Sequence, residues 1–357
     1  MRVIELRDVG SGLHAFVVID HDLFAVSAGG TRMLPDVDVR EVARLARAMT
    51  WKFAACRLPY AGAKAGLRFA GGDRGALLAA YMRALEPYRD VFLTGPDMGT
   101  FATDFLDGSE ETIPAWAQSH EGLGMDDLAT GHGVKAAAEA ALTHLGRRLE
   151  GAAVAVEGFG KVGAGTARAC ARAGARVVGV STVDGLLADA DGLDIEELIA
   201  LRDRHGDRFV EHGPRSTLPR DALFELDCDV LVPGARPDSI TQSVAERVRC
   251  AVVAPGANIP YGFGAIEVLH RRGILAIPDF VANSGGVHLY ESVGRGDEPE
   301  VALAAIESVV REAVARTLAT SGKLAVTPWA AALREARDYL AQTTGAPRKV
   351  LDELFPV

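Results

Sequence analysis

Cysteine is scarce in this chain and what there is lies scattered. Four residues, Cys56, Cys170, Cys228 and Cys250, are too far apart for any Cys-x-x-Cys redox or zinc pattern, so no metal site is expected. They read as reduced thiols of a cytoplasmic protein. Long apolar runs are missing too: none approaches the ~18 residues of a membrane helix. The opening Met1-Arg-Val-Ile-Glu-Leu-Arg-Asp8 carries charges where a signal peptide needs an apolar core. Basic residues are outnumbered, 38 Lys and Arg against 48 Asp and Glu for a net charge of -10. That balance argues against nucleic acid or an anionic membrane as partner, while a local pair of lysines can still attract a small anion. Internal repeats and low-complexity stretches are absent.

What is present suits two domains with real cores, since 357 residues are available and 48% of them are hydrophobic. Near the start, His14-Ala-Phe-Val-Val-Ile19 and Leu23-Phe-Ala-Val26 read as strands around a polar turn. They lead into Ala28-Gly-Gly-Thr-Arg-Met33, read as a turn in which paired glycines allow close backbone approach. Asp38-Val-Arg-Glu41 has the form of a helix-start capping box. Beyond it Val39, Val42, Ala46, Met49 and Phe53 recur at helical spacing, with Lys52 on the flank of the stripe. Lys64 follows in a small-residue segment read as a loop. Thr94–Thr100 reads as another loop, with Asp104 and Asp107 as solvated helix acids, and Thr130-Gly-His-Gly133 reads as the opening of an alanine-rich helix.

From Ala152 onward the pattern is strand, glycine turn, helix, strand. Val154-Ala-Val156 precedes Gly158-Phe-Gly160-Lys-Val-Gly163, and Val162, Thr166, Ala169 and Ala173 line one face of the following helix. Arg176–Val180 is a second strand. This context turns a weak Gly-x-Gly-x-x-Gly into a dinucleotide fingerprint: tight turn, backbone approach to a pyrophosphate, and a helix N-terminus facing it. The second strand ends in Ser181-Thr182 where an NAD-binding fold usually places an acid, yet no arginine stands in that stretch to meet a 2′-phosphate. NAD is favoured and NADP stays open. Apolar runs at Val230, Ala251 and Ile274 extend a parallel sheet, and a helix from Pro328 to Leu340 closes the chain.

Beside such a cofactor, one lysine suits a substrate carboxylate and another, lowered in pKa, suits proton transfer. The ordered set Gly29-Gly-Thr-Arg-Met33, Met49-Thr-Trp-Lys52, Leu58-Pro-Tyr-Ala-Gly-Ala-Lys64, Gly95-Pro-Asp-Met-Gly-Thr100, Thr130-Gly-His-Gly133, Gly158–Gly163, Gly256-Ala-Asn258 and Ala282-Asn-Ser-Gly-Gly-Val287 resembles the glutamate/leucine/phenylalanine/valine dehydrogenase family over nearly the whole chain. The resemblance implies an α/β fold of two domains. Residues 1–130 with 325–357 would bind substrate and oligomerise, and 131–324 would form a Rossmann-type, doubly wound dinucleotide-binding domain. It implies reversible oxidative deamination of an L-amino acid to the 2-oxo acid and ammonia, with Lys64 as base and Asp97 exchanging a proton with the substrate amine.

Substrate contacts implied by the same comparison are Lys52 on the α-carboxylate, with Gly30, Met49, Ala28, Gly95, Asn258, Asn283, Val287 and Tyr290. Cofactor contacts are Thr130, Gly158, Phe159, Gly160, Lys161, Val162, Gly163, Ser181, Thr182, Ala257, Asn258 and Asn283. Glutamate-type members carry a lysine just before the paired glycines, where this chain has Ala28; an unpaired buried carboxylate is costly, so the branch resembled acts on apolar or aromatic amino acids. Gly95 would free pocket space and Tyr290 fill it. Arg236 and the Ala-Gly-Ala-Lys64 loop depart from the family pattern without removing a catalytic group. A homo-oligomer built through the N-terminal strands is implied. Two other readings remain: an oxidoreductase on a 2-hydroxy acid or unusual biosynthetic amino acid, and a dinucleotide-binding regulatory protein without turnover.

Overall fold

A computed structural model describes residues 1–106, 119–120 and 122–355. The chain separates into two compact units, Met1–Ala117 with Leu333–Val357, and Gln118–Ala332. Asp107 lies outside the described residues.

The first unit is built on a mixed sheet of β1 (Arg2–Asp8), β2 (Leu13–Ile19), β3 (Ser27–Leu34), β4 (Ala61–Arg68) and β5 (Phe92–Pro96), with α1 (Val39–Ala55) and α2 (Arg74–Leu85) between them. The order is β1-β2-β4-β3-β5. β1, β2 and β4 run antiparallel, while β3 is parallel to both β4 and β5. Asp38 caps α1, accepting from the Arg40 and Glu41 amides at 2.8 Å each. Its apolar stripe is buried at Val42, Leu45, Ala46, Met49 and Phe53. The opposite face of the sheet takes Leu77, Leu78, Tyr81 and Leu85 of α2 against Leu13, Ala15, Val17 and Leu67. Each such large apolar side chain contributes about 1.5–3 kcal/mol when fully buried.

Several segments differ from the sequence reading. Ala28–Met33 is not a turn but the body of β3, and Lys64 stands on β4, not in a loop. The reason is steric. A Cβ on Gly62 would come 2.2 Å from the Thr50 amide nitrogen and 2.3 Å from Ala46 O, and one on Gly29 would come 1.7 Å from Ala63 O. Small residues here bring strand against helix and strand against strand, which from sequence looks like loop composition. Leu23–Val26 forms no strand, and the charged β1 takes the sheet edge instead. Thr94–Pro96 likewise belongs to β5. Asp104 is not solvated: its carboxylate takes Arg74 at 2.5 and 2.8 Å and the Phe101 amide at 2.7 Å.

The second unit opens with a ribbon, β6 (Ser119–His120) and β7 (Leu123–Gly124), and continues with α3 (Met125–His144). Then come β8 (Ala153–Glu157), α4 (Lys161–Arg172), β9 (Arg176–Thr182), β10 (Gly185–Ala188), α5 (Ile195–His205), β11 (Val230–Pro233), α6 (Gln242–Arg247) and β12 (Val252–Val253). After them lie α7 (Ala265–Arg271), β13 (Leu275–Ala276), α8 (Asp279–Ala282), α9 (Gly285–Arg295) and α10 (Pro299–Leu324). The sheet order β10-β9-β8-β11-β12-β13 is that of a Rossmann domain, with its switch point between β8 and β11. The strands are parallel except β10, which folds back on β9 as a hairpin. α3 starts at Met125, so Thr130-Gly-His-Gly133 lies within the helix and does not open it. Its glycines serve helix crossing: a Cβ on Gly131 would meet the Gly165–Thr166 backbone at 2.5 Å, and one on Gly285 would meet Ala129 O at 1.9 Å.

α11 (Pro328–Thr344) and α12 (Arg348–Leu354) close the chain. Within the first unit Phe355 is fully buried, its ring 4.9 Å from Trp51 and 5.5 Å from His21. Arg47 lies over that ring at 4.7 Å, donates to Leu354 O at 3.0 Å, and holds the buried Asp20 at 2.7 Å.

Candidate active site

In the first unit, neighbouring strands bring Lys64, Asp97 and Gly30 together. Lys64 points from the buried β4, 3% exposed, and its Nζ lies 3.1 Å from Asp97 Oδ2. Asp97 follows the end of β5, and its position is set by Thr100. That hydroxyl accepts from the Asp97 amide at 2.9 Å and donates to Thr31 O on β3 at 2.8 Å. Gly30 is paired with Gly95 across β3 and β5. A Cβ on Gly30 would stand 3.3 Å from Lys64 Nζ and 2.6 Å from Pro96 O, so the lysine's reach to Asp97 depends on a glycine there. Ala28 pairs with Gly62 and Leu93 on either side, while Met49 and Lys52 are buried on α1.

Burial pushes the Lys64 ammonium below the usual lysine range; Asp97 opposes this, and the Arg32 guanidinium adds to it. For Asp97, burial acts upward, but Lys64 and Arg32 outweigh it and hold the carboxyl well below the ordinary carboxylate range. The cation lowering Lys64 is thus Arg32, which donates from Nε to Asp97 Oδ2 at 2.9 Å and also pairs with Glu41. The sequence reading passed over both. The signal was available: Arg32 sits inside the Gly-Gly-Thr-Arg motif, and Glu41 was read as a capping residue although its carboxylate turns to Arg32.

In the second unit the fingerprint has the geometry it needs. Gly158 has a φ of 80°, and a Cβ on Gly163 would come 1.8 Å from Gly158 O. Gly160 is the N-cap of α4, and a Cβ there meets nothing within 4 Å. Open space beside a helix N-terminus fits a dinucleotide pyrophosphate. Lys161 and Val162 start α4, while Phe159 is buried against Phe209 at 5.2 Å. Ser181 and Thr182 are buried at the end of β9, and the Thr182 hydroxyl donates to Asp207 O at 3.0 Å. Asn283 Nδ2 donates to Ala257 O at 3.0 Å, Asn258 Oδ1 at 3.1 Å and Gly256 O at 3.2 Å, tying the loop after β12 to the start of α9. Thr130 donates to Asp126 O at 3.0 Å within α3. Val287 and Tyr290 are on α9, with Tyr290 46% exposed, and His288 is buried there. Arg236 is exposed in the loop after β11. Unforeseen in the sequence is Asp127 at the start of α3, pushed up to about 7 by burial and by Asp126.

Among the described residues no group of three or more His, Cys, Asp or Glu side chains gathers as metal ligands, and no helix is long and apolar enough to cross a membrane. Burial pushes the free thiols of Cys170 and Cys250 up to about 12, far from a reactive thiolate.

A Rossmann sheet carrying an intact dinucleotide loop, in one chain with a buried lysine–carboxylate cluster, defines a nicotinamide-dependent dehydrogenase. Family models specify it further. The model described as Glu/Leu/Phe/Val dehydrogenase, dimerisation domain, matches residues 2–106, and that of Glutamate/Leucine/Phenylalanine/Valine dehydrogenase matches 122–292. The chain belongs to this family of amino-acid dehydrogenases, and its cofactor is NAD(P). Among its relatives, the NAD-specific glutamate dehydrogenase of Staphylococcus aureus (strain COL) is 33% identical over 285 residues, covering 75% of this chain and 68% of that protein. The glutamate dehydrogenase of Thermotoga maritima is 36% identical over 282 residues, covering 72% and 67%. The crystal structure of hetero-hexameric glutamate dehydrogenase from Thermus thermophilus (Leu bound form) superposes with a TM-score of 0.84 at 26% identity, covering 98% of this chain and 89% of that one.

Proposed function

We propose that the protein catalyses NAD(P)-dependent, reversible oxidative deamination of an apolar or aromatic L-amino acid. The observation that carries the substrate class is Ala28. It stands on β3 next to the paired glycines that approach Lys64 and Asp97, where a side-chain carboxylate would need a cation. A methyl group offers it none, and a buried unpaired carboxylate is strongly disfavoured.

In this reading Lys52 holds the α-carboxylate and Asp97 orients and exchanges a proton with the substrate amine. Lys64, kept low by burial, takes a proton from the water that attacks the imino carbon and returns it in the reverse direction. The bound nicotinamide supplies hydride transfer at the substrate α-carbon. The second unit, through Gly158–Gly163, Thr130, Ala257, Asn258 and Asn283, holds the dinucleotide. We further infer that NAD is used and that copies of the chain associate through the N-terminal unit, which the matched dimerisation-domain model supports.

Glutamate is the second reading, favoured by the names of the relatives at 33–36% identity. A spectrophotometric screen of the twenty L-amino acids with NAD and with NADP, at alkaline pH, separates the two. Turnover of leucine, valine, phenylalanine or another apolar amino acid with little on glutamate supports the proposal. Preference for glutamate overturns it.

A further inference from the structure

The cluster around Lys64 has a fourth member whose place is not explained by binding or by proton transfer. Arg32 is buried on β3, 4% exposed. Its Nε donates to the same Asp97 oxygen that Lys64 approaches at 3.1 Å, and its Nη1 pairs with Glu41 at the start of α1. The charges therefore alternate in a line: Glu41, Arg32, Asp97, Lys64. One carboxylate oxygen serves two cations, and one guanidinium joins two carboxylates.

Without Arg32, Asp97 and Lys64 would be a two-membered buried ion pair. Removing the lysine's proton would then strand a carboxylate in a dry site, so Asp97 would hold Lys64 in its charged form. Arg32 keeps its charge at every working pH. Asp97 stays paired whichever form Lys64 takes. Glu41 pulls the other way electrostatically, because its negative charge favours the lysine's ammonium, yet it anchors the guanidinium fork.

We propose that Arg32, anchored by Glu41, is a positioning residue that keeps Asp97 paired, so that Lys64 gives up and recovers its proton within the buried site. The proposal rests on the reading of Lys64 as the proton-transferring base. The elements packed about β4 carry other groups besides. β2 sets Val18 opposite it, Lys52 is buried further along α1, the Tyr81 phenol of α2 is bonded to Thr31 at 2.7 Å, and Asp20 is held by Arg47 and Thr50.

The test compares pH profiles of kcat/KM for the full chain and for Arg32→Met, Arg32→Lys and Glu41→Gln. The acid limb, set by Lys64, moves up by about one pH unit or more in Arg32→Met. It moves down in Glu41→Gln, where the amide keeps a hydrogen bond to the guanidinium and loses only charge. Arg32→Lys returns the limb most of the way. A purely structural role lowers rates in every variant without opposite displacements of the limb. An unmoved limb in Arg32→Met, or shifts of one sign in both single variants, overturns the proposal.

Competitive acetylation of Lys64 with acetic anhydride across pH, read by peptide mass spectrometry, measures the same ionisation without turnover. If no amino acid is deaminated, the functional reading falls while this titration still decides the role of Arg32. Should Arg32→Met fail to fold, Arg32→Lys and Glu41→Gln carry the comparison: opposite displacements are not required then, and an unmoved Lys64 titration in Glu41→Gln counts against the proposal.

Discussion

Replacing Gly30 with alanine tests how tightly the cluster is built. The added Cβ would stand 2.6 Å from Pro96 O, 3.0 Å from Asp97 Cβ and 3.3 Å from Lys64 Nζ. Ordinary carbon contacts begin near 3.5 Å, so the Pro96–Asp97 backbone must retreat by roughly 1 Å. Overpacking of this kind costs about 1–3 kcal/mol of stability, and at about 2–4 °C per kcal/mol the Tm should fall by roughly 2–12 °C. The chain should still fold, because the clash falls at the last residue of β5 and at Asp97 just beyond it. Catalysis suffers more than stability: a 1 Å displacement of a reacting group costs on the order of a hundredfold in rate. Steady-state kinetics with the amino acid found by the screen, beside thermal unfolding and titration with NADH, separate these effects. NADH affinity should be unchanged, since the fingerprint loop belongs to the second unit. A folded Gly30→Ala protein with kcat/KM within about threefold of the parent would refute the idea that Lys64 and Asp97 act as a spatially fixed pair. Gly29→Ala is the contrast. Its Cβ would lie 1.7 Å from Ala63 O in the middle of the sheet, and loss of soluble folded protein is expected.

Three further outcomes are expected. Lys64→Ala should retain NADH binding, measured by fluorescence, and lose turnover by at least about a thousandfold; retention within about tenfold would sink the base assignment. Lys52→Ala should chiefly raise KM for the amino acid, and an unchanged KM would count against its carboxylate role. His21 is buried with its Nδ1 accepting from the Leu23 amide at 3.1 Å, and burial holds its pKa below the ordinary value of 6.5. The unfolded chain therefore binds the proton first at this site, so the contribution of His21 to stability is full above pH 6.5 and declines as pH falls below it. His21→Asn keeps an acceptor for Leu23 and should flatten the fall in Tm on the acid side of pH 6.5; an unaltered slope would assign the acid lability elsewhere.

Much of this architecture was legible because a few signals are strongly local. Asp38 before a helical stripe located α1, and Gly158–Gly163 between two apolar runs located the glycine turn that opens α4, since both depend on neighbours within a turn or two. The strands carrying Gly29, Gly30, Gly62 and Lys64 read as turns or loops in the sequence. Their glycines and alanines are selected by backbones from distant parts of the chain, and local composition does not distinguish that demand from flexibility. The same holds for Gly131 and Gly133, which answer to Gly165 and Gly285. β10 was invisible as an antiparallel strand because its direction depends on the turn at Val183-Asp184 and not on periodicity. In the sequence Arg32 and Glu41 are letters of separate motifs; that they meet depends on β3 lying beside the start of α1.

The burial of Phe355 against Trp51 has a consequence for how this protein is made. The hydrogen bond from Arg47 to Leu354 O closes over 307 residues. At about 5–20 residues per second, a ribosome needs roughly 15–60 s to travel that far. Throughout that interval α1 has been synthesised but cannot be sealed, and the indole of Trp51 waits uncovered next to Lys52. The first unit thus cannot complete its packing until the whole second unit has been made, and translation that stops after Ala332 but short of α12 leaves a chain with every residue of the second unit and without the ring that covers Trp51.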